Sequence, residues 1–271
     1  MNDATQTSQP PKLSELGQDL LKLSRWQIAR ALAVPFLAFF AYWIFAMFGL
    51  WIPAVLSLVV LSFVTYGSTS HDLVHGSLGL NRRWNGFLLS IIEAMSLRSG
   101  HAYQLAHLHH HARFPHEDDI EAEAAKMSLL RALWEGVIFQ FRIYVWALRN
   151  PRGKRGRIVT EGLVVLALVL TAILSLPWTI IPAIYVALMI AGSWIIPLVT
   201  SYIPHDATAK DSIRQTRIFR GWFFRILAMD HLYHWEHHLY PAVPHQNWPR
   251  LAKRLDPWIA AKGIEPVKIV G

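Results

Sequence analysis

The chain contains no cysteine among its 271 residues. This absence excludes disulfides, thiolate metal ligands and iron–sulfur clusters held by the chain itself. Charged residues are also scarce, at 16%, whereas apolar residues reach 53%, a balance that indicates a membrane protein. The polar N-terminal segment has no apolar core followed by a cleavage site, so we expect no cleaved signal peptide. Any redox chemistry would need electrons from a separate donor.

Four apolar stretches are long enough to cross a bilayer. A helix of about 20 residues, rising about 1.5 Å per residue, crosses a hydrocarbon core of about 30 Å. We predict four spans, the second of which continues as a helix past the lipid toward Ser70; they cover residues 31–48, 53–66, 159–176 and 178–203.

Lys and Arg are absent from the two short connectors, residues 49–53 and 175–178. All 26 basic residues lie before the first span, between the two pairs of spans, or after the fourth span. The positive-inside rule places these three segments in the cytoplasm. We therefore attribute the net charge of +8 to the orientation of the chain in the membrane and to contact with anionic lipid headgroups. We expect no nucleic-acid partner.

We expect one membrane domain over residues 1–271. Its parts are an N-terminal cytoplasmic segment (1–30), a first helical pair (31–70), a cytoplasmic middle segment (71–158), a second helical pair (159–203) and a cytoplasmic C-terminal segment (204–271).

Two features outside the spans could be mistaken for membrane crossings. Apolar stretches at 84–97 and 129–148 are interrupted by charges, Glu93 in the first and Arg131 among others in the second, so we expect interfacial or packed helices. Leucines at positions 13, 16, 20 and 23 suggest a short amphipathic helix on the membrane surface. The predicted fold is an all-α integral membrane protein with four transmembrane helices and a cytoplasmic histidine-rich cap.

Histidines form three clusters with helical spacing. They are His71 and His75; His107, His110 and His111; and His234, His237 and His238. Residues three and four apart share one face of a helix, so each cluster can direct its imidazoles to one point. Imidazole binds iron, zinc, copper and nickel, so the spacing predicts a polynuclear metal site without choosing the metal.

Three motifs carry a resemblance to a known family. HDLVHGSL at 71–78, HLHHH at 107–111 and HWEHHLYPAVP at 234–244 resemble the histidine boxes of the membrane fatty acid desaturase superfamily, over roughly residues 65–255. The resemblance implies four spans, cytosolic histidines, two non-haem iron ions and O2 as co-substrate.

Site residues follow from the same resemblance. It implies that the eight box histidines bind iron and that His205, just past the fourth span, is a ninth ligand. Ser201 stands where the acyl-CoA branch uses an Asn that contacts iron through water, which leaves the role of Ser201 open. Metal-bound imidazoles usually donate their other N–H to an oxygen, and we expect the partners here to be Asp72, Glu236, Asp206 and Asp230.

The remaining histidines are not expected to bind the metal. His109 points off the face of its neighbours, and His231 could support His234. We interpret His101, His116 and His245 as surface or loop residues, and the acidic run 117–119 as a solvated loop.

The function that we expect is desaturation of a lipid acyl chain with O2 and external electrons. A ferredoxin, or a b-type cytochrome with its reductase, would be the donor, and a bacterial inner membrane the location. One alternative is a carotenoid ketolase or another lipid hydroxylase of the same superfamily. The HxxHHxHxxxxxDPD-like continuation of ketolases is absent, however, because His111 is followed by ARFPHEDDIEAE.

The alternative outside enzymes is a metal transporter or sensor. Transport favours ionisable groups within the spans. The spans are almost purely apolar, with Glu161 near the start of the third as the exception. This composition favours an enzyme.

Overall fold

The structure is a computed structural model that describes residues 9–209, 213–222 and 231–268. About 70% of it is helical, which confirms the predicted all-α class. In the described ranges, strands are limited to β1 (Phe219–Arg220) and β2 (Val267–Lys268), which pair in parallel.

Four helical runs are long and apolar enough to cross a membrane, as the sequence predicts. They are Gln18–Met47, Trp51–His75, Arg155–Leu174 and Ile181–Tyr202. The four runs form two consecutive helical hairpins. The middle segment and the C-terminal ends of the second and fourth runs therefore lie on the same side of the candidate spans. The apolar stretches at 84–97 and 129–148 are not among these candidates, which agrees with the prediction that they do not span.

The first hairpin consists of α2 (Arg25–Met47) and a second helix that changes pitch. The Ser24 hydroxyl begins α2 by accepting a bond from the backbone N–H of Gln27 at 3.2 Å. The second run contains α3 (Trp51–Val59), wide turns at Val60–Val64 and Tyr66–Ser70, and α4 (His71–His75). This run was expected to end near Ser70. It continues to His75 and ends at Gly76, whose φ of +70° suits a glycine.

The middle segment forms three helices and a 3-10 turn. They are α5 (Arg82–Met95), α6 (Gly100–Arg113), the turn Glu123–Lys126, and α7 (Leu129–Arg149). The second hairpin follows as α8 (Arg155–Leu174) and α9 (Ile181–Gly192), with a 3-10 turn at Ser193–Ile195 and a wide turn at Leu198–Tyr202.

Glu93 joins α5 and α6 to the second span. It is fully buried, pairs with Arg98 at 2.7 Å, and accepts a bond from the Ser70 hydroxyl at 2.5 Å. A charge that interrupts an apolar stretch in the sequence is therefore neutralised in the core. The cluster around it, including Leu73, Ile92 and Tyr103, fixes α6 against α4.

The N-terminal leucines do not lie on the membrane surface as an amphipathic helix. Leu13 and Leu16 fall on α1 (Leu13–Leu16) and Leu20 falls on a 3-10 turn (Gln18–Leu21), whereas Leu23 lies between this turn and α2. Leu16 and Leu20 are buried in a core formed with the C-terminal α10 (His234–Leu239) and α11 (Trp248–Ala261). Their apolar surface is covered by protein, so this segment closes the cap.

Candidate metal centre

The helices place nine imidazoles at one site. Successive turns of α4 carry His71 and His75; one side of α6 carries His107, His110 and His111; α10 carries His234, His237 and His238. His205 follows the wide turn at Leu198–Tyr202. Wide turns precede both His71 and His205, and such insertions are common at functional sites.

The imidazoles divide into two groups, in each of which the ring nitrogens lie within 4.8 Å of one another. The first contains His71, His75, His107, His111 and His237. In it the Nε2 atoms of His71 and His237 are 3.0 Å apart, and those of His111 and His237 are 2.7 Å apart. These five side chains come from three separate segments of the chain.

The second group contains His110, His205, His234 and His238. Its Nε2 atoms also face one another, at 3.2 Å between His110 and His238 and 3.0 Å between His234 and His238. Because α6 and α10 each contribute to both groups, the two lie side by side. The rings of His111 and His238 stack across the boundary with centroids 4.5 Å apart.

The comparison with known families agrees with this geometry. A family model described as fatty acid desaturase matches residues 49–266, most of the chain. The chain belongs to the fatty acid desaturase family. No curated protein matches it. Membership makes the chain an O2-dependent oxidoreductase and, with its four candidate spans, an integral membrane protein.

The ring nitrogens of this desaturase-family site are arranged to bind metal ions rather than to form hydrogen bonds with one another. Nδ1 of His107 lies 3.0 Å from Glu121, Nδ1 of His110 lies 2.7 Å from Asp119, and Nδ1 of His205 lies 3.0 Å from the Ser201 carbonyl. These oxygens hold the proton on Nδ1, so Nε2 presents a lone pair to its neighbours. Lone pairs about 3 Å apart repel one another, and a cation between them removes the conflict.

Unpaired nitrogens support the same assignment. Nε2 of His75 is buried and has no hydrogen-bond partner among the described residues. A buried polar atom without a partner costs about 1–3 kcal/mol unless a ligand takes its lone pair. The donor set of each group is entirely nitrogen, so the residues present fit borderline metals such as iron.

Burial keeps most of these rings neutral. It lowers the pKa of His111, His205, His234, His237 and His238 well below the usual value for histidine. Neutral imidazole is the form that binds a metal. Burial also acts to lower the pKa of His110, but the hydrogen bond and charge of Asp119 outweigh it and raise that pKa.

The expected hydrogen-bond partners of the imidazoles have different neighbours. Asp72 is paired with His245, Glu236 forms an ion pair with Arg220 at 2.7 Å, and Asp206 accepts bonds from Thr208. Ser201 reaches His205 through its carbonyl, while its hydroxyl accepts a bond from the N–H of Ala125. Asp230 lies outside the described residues.

Asp119 and Glu121 are the partners that sequence reasoning missed. Asp119 was interpreted as part of a solvated loop, yet it is fully buried. The loop after α6 folds back along the helix, so acids 9 and 14 residues beyond their histidines become neighbours of those histidines. The available signal was an acidic run directly after a histidine cluster.

The remaining histidines have distinct environments. His109 faces away from both groups and lies within hydrogen-bond distance of the Asp118 carbonyl at 3.2 Å, and His116 is exposed. His101, interpreted as a surface or loop residue, is buried and pairs with Glu161 at 2.6 Å. His245 is half-buried against Asp72 rather than a free loop residue.

His231 lines a small cavity beside the metal centre. The cavity, of about 20 Å³, also borders His71, His107 and His234, and it reaches Thr200 near the end of the fourth span. Gly67 makes room for the His231 ring, since a Cβ there would lie 2.2 Å from its Nε2. A space of this size holds about one water-sized molecule.

We predict that Asp119→Asn weakens metal binding by about 10–100-fold, the usual effect of removing a carboxylate that orients a metal-bound histidine. Asparagine keeps an oxygen that can still accept from the backbone N–H groups of Glu121 and Ala122, so the loop should persist. Metal content after dialysis against a graded chelator measures the change.

Asp118→Asn is the matched control, because Asp118 is exposed and pairs with Arg113. It should retain metal like the parent. Equal retention by the Asp119 variant, or equal loss by the Asp118 variant, would contradict the assignment.

Proposed function

We propose that the chain is a single-domain di-iron desaturase that introduces a double bond into a lipid acyl chain. One hydrogen leaves each of two adjacent methylenes. With O2, two external electrons and two protons, the products are the alkene and two molecules of water. Lipid acyl substrates agree with family membership, and the observation that supports the proposal best is the pair of all-nitrogen histidine groups.

Each histidine group would hold one iron ion. The ligands would be His71, His75, His107, His111 and His237 for one, and His110, His205, His234 and His238 for the other. Bound iron would supply, with O2, the oxidising power that unactivated C–H bonds need, since they have no acidic proton for a base.

The chain's own side chains hold protons and exclude water. Glu121, Asp119 and the Ser201 carbonyl keep the Nδ1 protons in place and thereby orient three rings. The Trp248 indole covers His71 and His237, with ring centroids 5.3 and 5.2 Å away. A covered centre limits side reactions with water.

The substrate would reach the centre from the hydrocarbon. The small cavity is bordered by Gly67 on the second span and Thr200 on the fourth, both on the membrane side of the histidines. A chain entering between these spans would not cross water. Desaturation is preferred to hydroxylation because HHLYP followed by AVP resembles desaturases, and because the ketolase-type continuation is absent.

Electrons would come from a ferredoxin, or from a b-type cytochrome with its reductase, since the chain has no cysteine for an electron-transfer cluster. We propose a bacterial inner membrane as the location, with the chain termini and the metal site in the cytoplasm, from the distribution of Lys and Arg.

Lipid profiling tests the reaction. Cells that express the chain with a competent reductase should accumulate acyl chains lighter by two hydrogens, as measured by mass spectrometry. His110→Ala and His237→Ala each remove one proposed ligand, so we expect product to fall to background while the protein stays in the membrane. His116→Ala, at an exposed histidine, is the control and should leave product unchanged.

Acyl chains heavier by one oxygen would show that the reaction is hydroxylation rather than desaturation. An unchanged lipid profile with the reductase present would contradict both reactions. Near-normal product from both ligand variants would contradict the ligand assignment.

The lack of native cysteine allows a clean test of orientation. Thr179→Cys lies between the third and fourth spans and Lys253→Cys lies on α11, both at exposed positions. In intact spheroplasts an impermeant thiol reagent should label the first variant and spare the second until the membrane is permeabilised. The reverse pattern would contradict cytoplasmic histidines, and equal labelling would contradict the four-span topology.

A further inference from the structure

A groove of about 650 Å³ runs between α5 and α8, apart from the metal centre. Its lining includes Arg83, Arg157 and an apolar wall, and none of the nine clustered histidines borders it. The proposed desaturation does not use this groove. It contains Glu161, the acid that stands out among the apolar spans.

The charge of Glu161 is already satisfied inside the protein. Its carboxylate accepts bonds from the hydroxyls of Ser90 and Ser99, the latter at 2.6 Å, and from the backbone N–H of His101 at 3.0 Å. The His101 ring lies 2.6 Å away through Nδ1. The acceptors of this buried carboxylate are satisfied by these donors, and neither Arg83 nor Arg157 forms an ion pair with it among the described residues.

His101 links Glu161 to the groove mouth. With its Nδ1 proton donated to Glu161, its Nε2 accepts a bond from the Arg157 guanidinium at 3.2 Å. A single donated bond fixes the arginine without cancelling its charge. Gly86 faces this pair, and a Cβ there would lie 3.2 Å from Arg157 Nη1, so the glycine keeps the mouth open.

The second arginine at the mouth is Arg83. The Arg83 side chain is exposed and has no hydrogen-bond or ion-pair partner within residues 9–209, 213–222 and 231–268. The mouth therefore carries a surplus of positive charge that a single anionic group would balance.

The wall below the mouth is apolar and follows the third candidate span, Arg155–Leu174. Phe87, Ile91, Ala94 and Val164 line it, and Phe87 and Val164 are 54% and 44% exposed. Val164 lies seven residues along the third span from Arg157, or about 10 Å at 1.5 Å per residue. The groove thus leads from a cationic interface into the hydrocarbon layer.

We propose that this groove binds an anionic glycerophospholipid, with its phosphate between Arg83 and Arg157 and an acyl chain along the apolar wall. A soluble anion would not contact the apolar wall, and a zwitterionic lipid would not balance the positive charge of the two arginines. The bound lipid would connect α5 and α8 beside the N-terminus of α6, the helix that carries His107, His110 and His111. Occupancy should therefore stabilise the folded protein by mass action.

Lipid retention by the full chain tests the proposal. The protein is purified in detergent and transferred to nanodiscs of phosphatidylcholine containing a small fraction of phosphatidylglycerol, and tightly bound lipid is measured by native mass spectrometry. Each arginine near an anionic headgroup contributes about 1 kcal/mol, so Arg83→Gln should weaken phosphatidylglycerol retention about fivefold. Because the Arg83 side chain has no partner among the described residues, this change breaks no recorded side-chain bond.

Two further variants separate the groove from general surface charge. Arg149→Gln removes an exposed arginine that is not in the groove lining and should leave retention within twofold of the parent. Ala94→Phe keeps every charge but fills the wall, and it should lower retention of phosphatidylglycerol at least as much as Arg83→Gln. A thermal unfolding series should show stabilisation by phosphatidylglycerol that inorganic phosphate alone does not reproduce.

Retention by Arg83→Gln and Ala94→Phe within twofold of the parent would overturn the proposal. An equal loss of phosphatidylglycerol retention in Arg149→Gln would mean that general surface charge, and not the groove, causes the retention. Stabilisation by inorganic phosphate alone would mean that the groove binds a free anion and not a lipid. Each of these outcomes rejects the lipid groove. Loss confined to Arg83→Gln and Ala94→Phe, with no effect of phosphate, supports it.

Discussion

The structure depends on nine clustered imidazoles, eight of which direct their Nε2 atoms at one another, at distances as short as 2.7 Å. Protons held on Nδ1 by Glu121, Asp119 and the Ser201 carbonyl leave Nε2 lone pairs facing inward. Without cations this arrangement is repulsive, and with them it forms two nitrogen-only coordination sites. In the proposed assignment, metal binding would be coupled to folding of the cap, because the unfolded chain offers no such arrangement.

The spans and the cap position these rings together. Wide helical turns near the ends of the second and fourth spans set the directions of His71, His75 and His205, while a buried Glu93–Arg98 pair fixes α6 behind them. The N-terminal leucines close the cap from the other side by packing against α11. The histidine groups thus lie at the ends of the second and fourth candidate spans. In the proposed function, an acyl chain would reach them from the lipid and an electron donor from water.

Local patterns predicted much of this arrangement. Helical spacing identified the histidine clusters, and apolar length with the distribution of basic residues identified four spans. The hydrogen-bond partners of the imidazoles were harder to predict. Asp119 and Glu121 reach His110 and His107 only because the loop after α6 reverses direction, and sequence spacing does not reveal that reversal. The same reason explains His101 and Glu161, which are 60 residues apart and meet only when α6 packs on α8. Leu16 and Leu20 were assigned to lipid because an apolar helical stripe indicates burial but does not say against what.

We propose that each histidine group holds one iron ion. Anaerobic titration of Fe²⁺ into metal-free protein, followed by X-ray absorption at the iron edge, measures both the number of ions and their ligands. We expect a break at two equivalents per chain and a first shell dominated by nitrogen, one ion for each of the two groups. Saturation at one equivalent or less, or a first shell dominated by oxygen or sulfur, would contradict it.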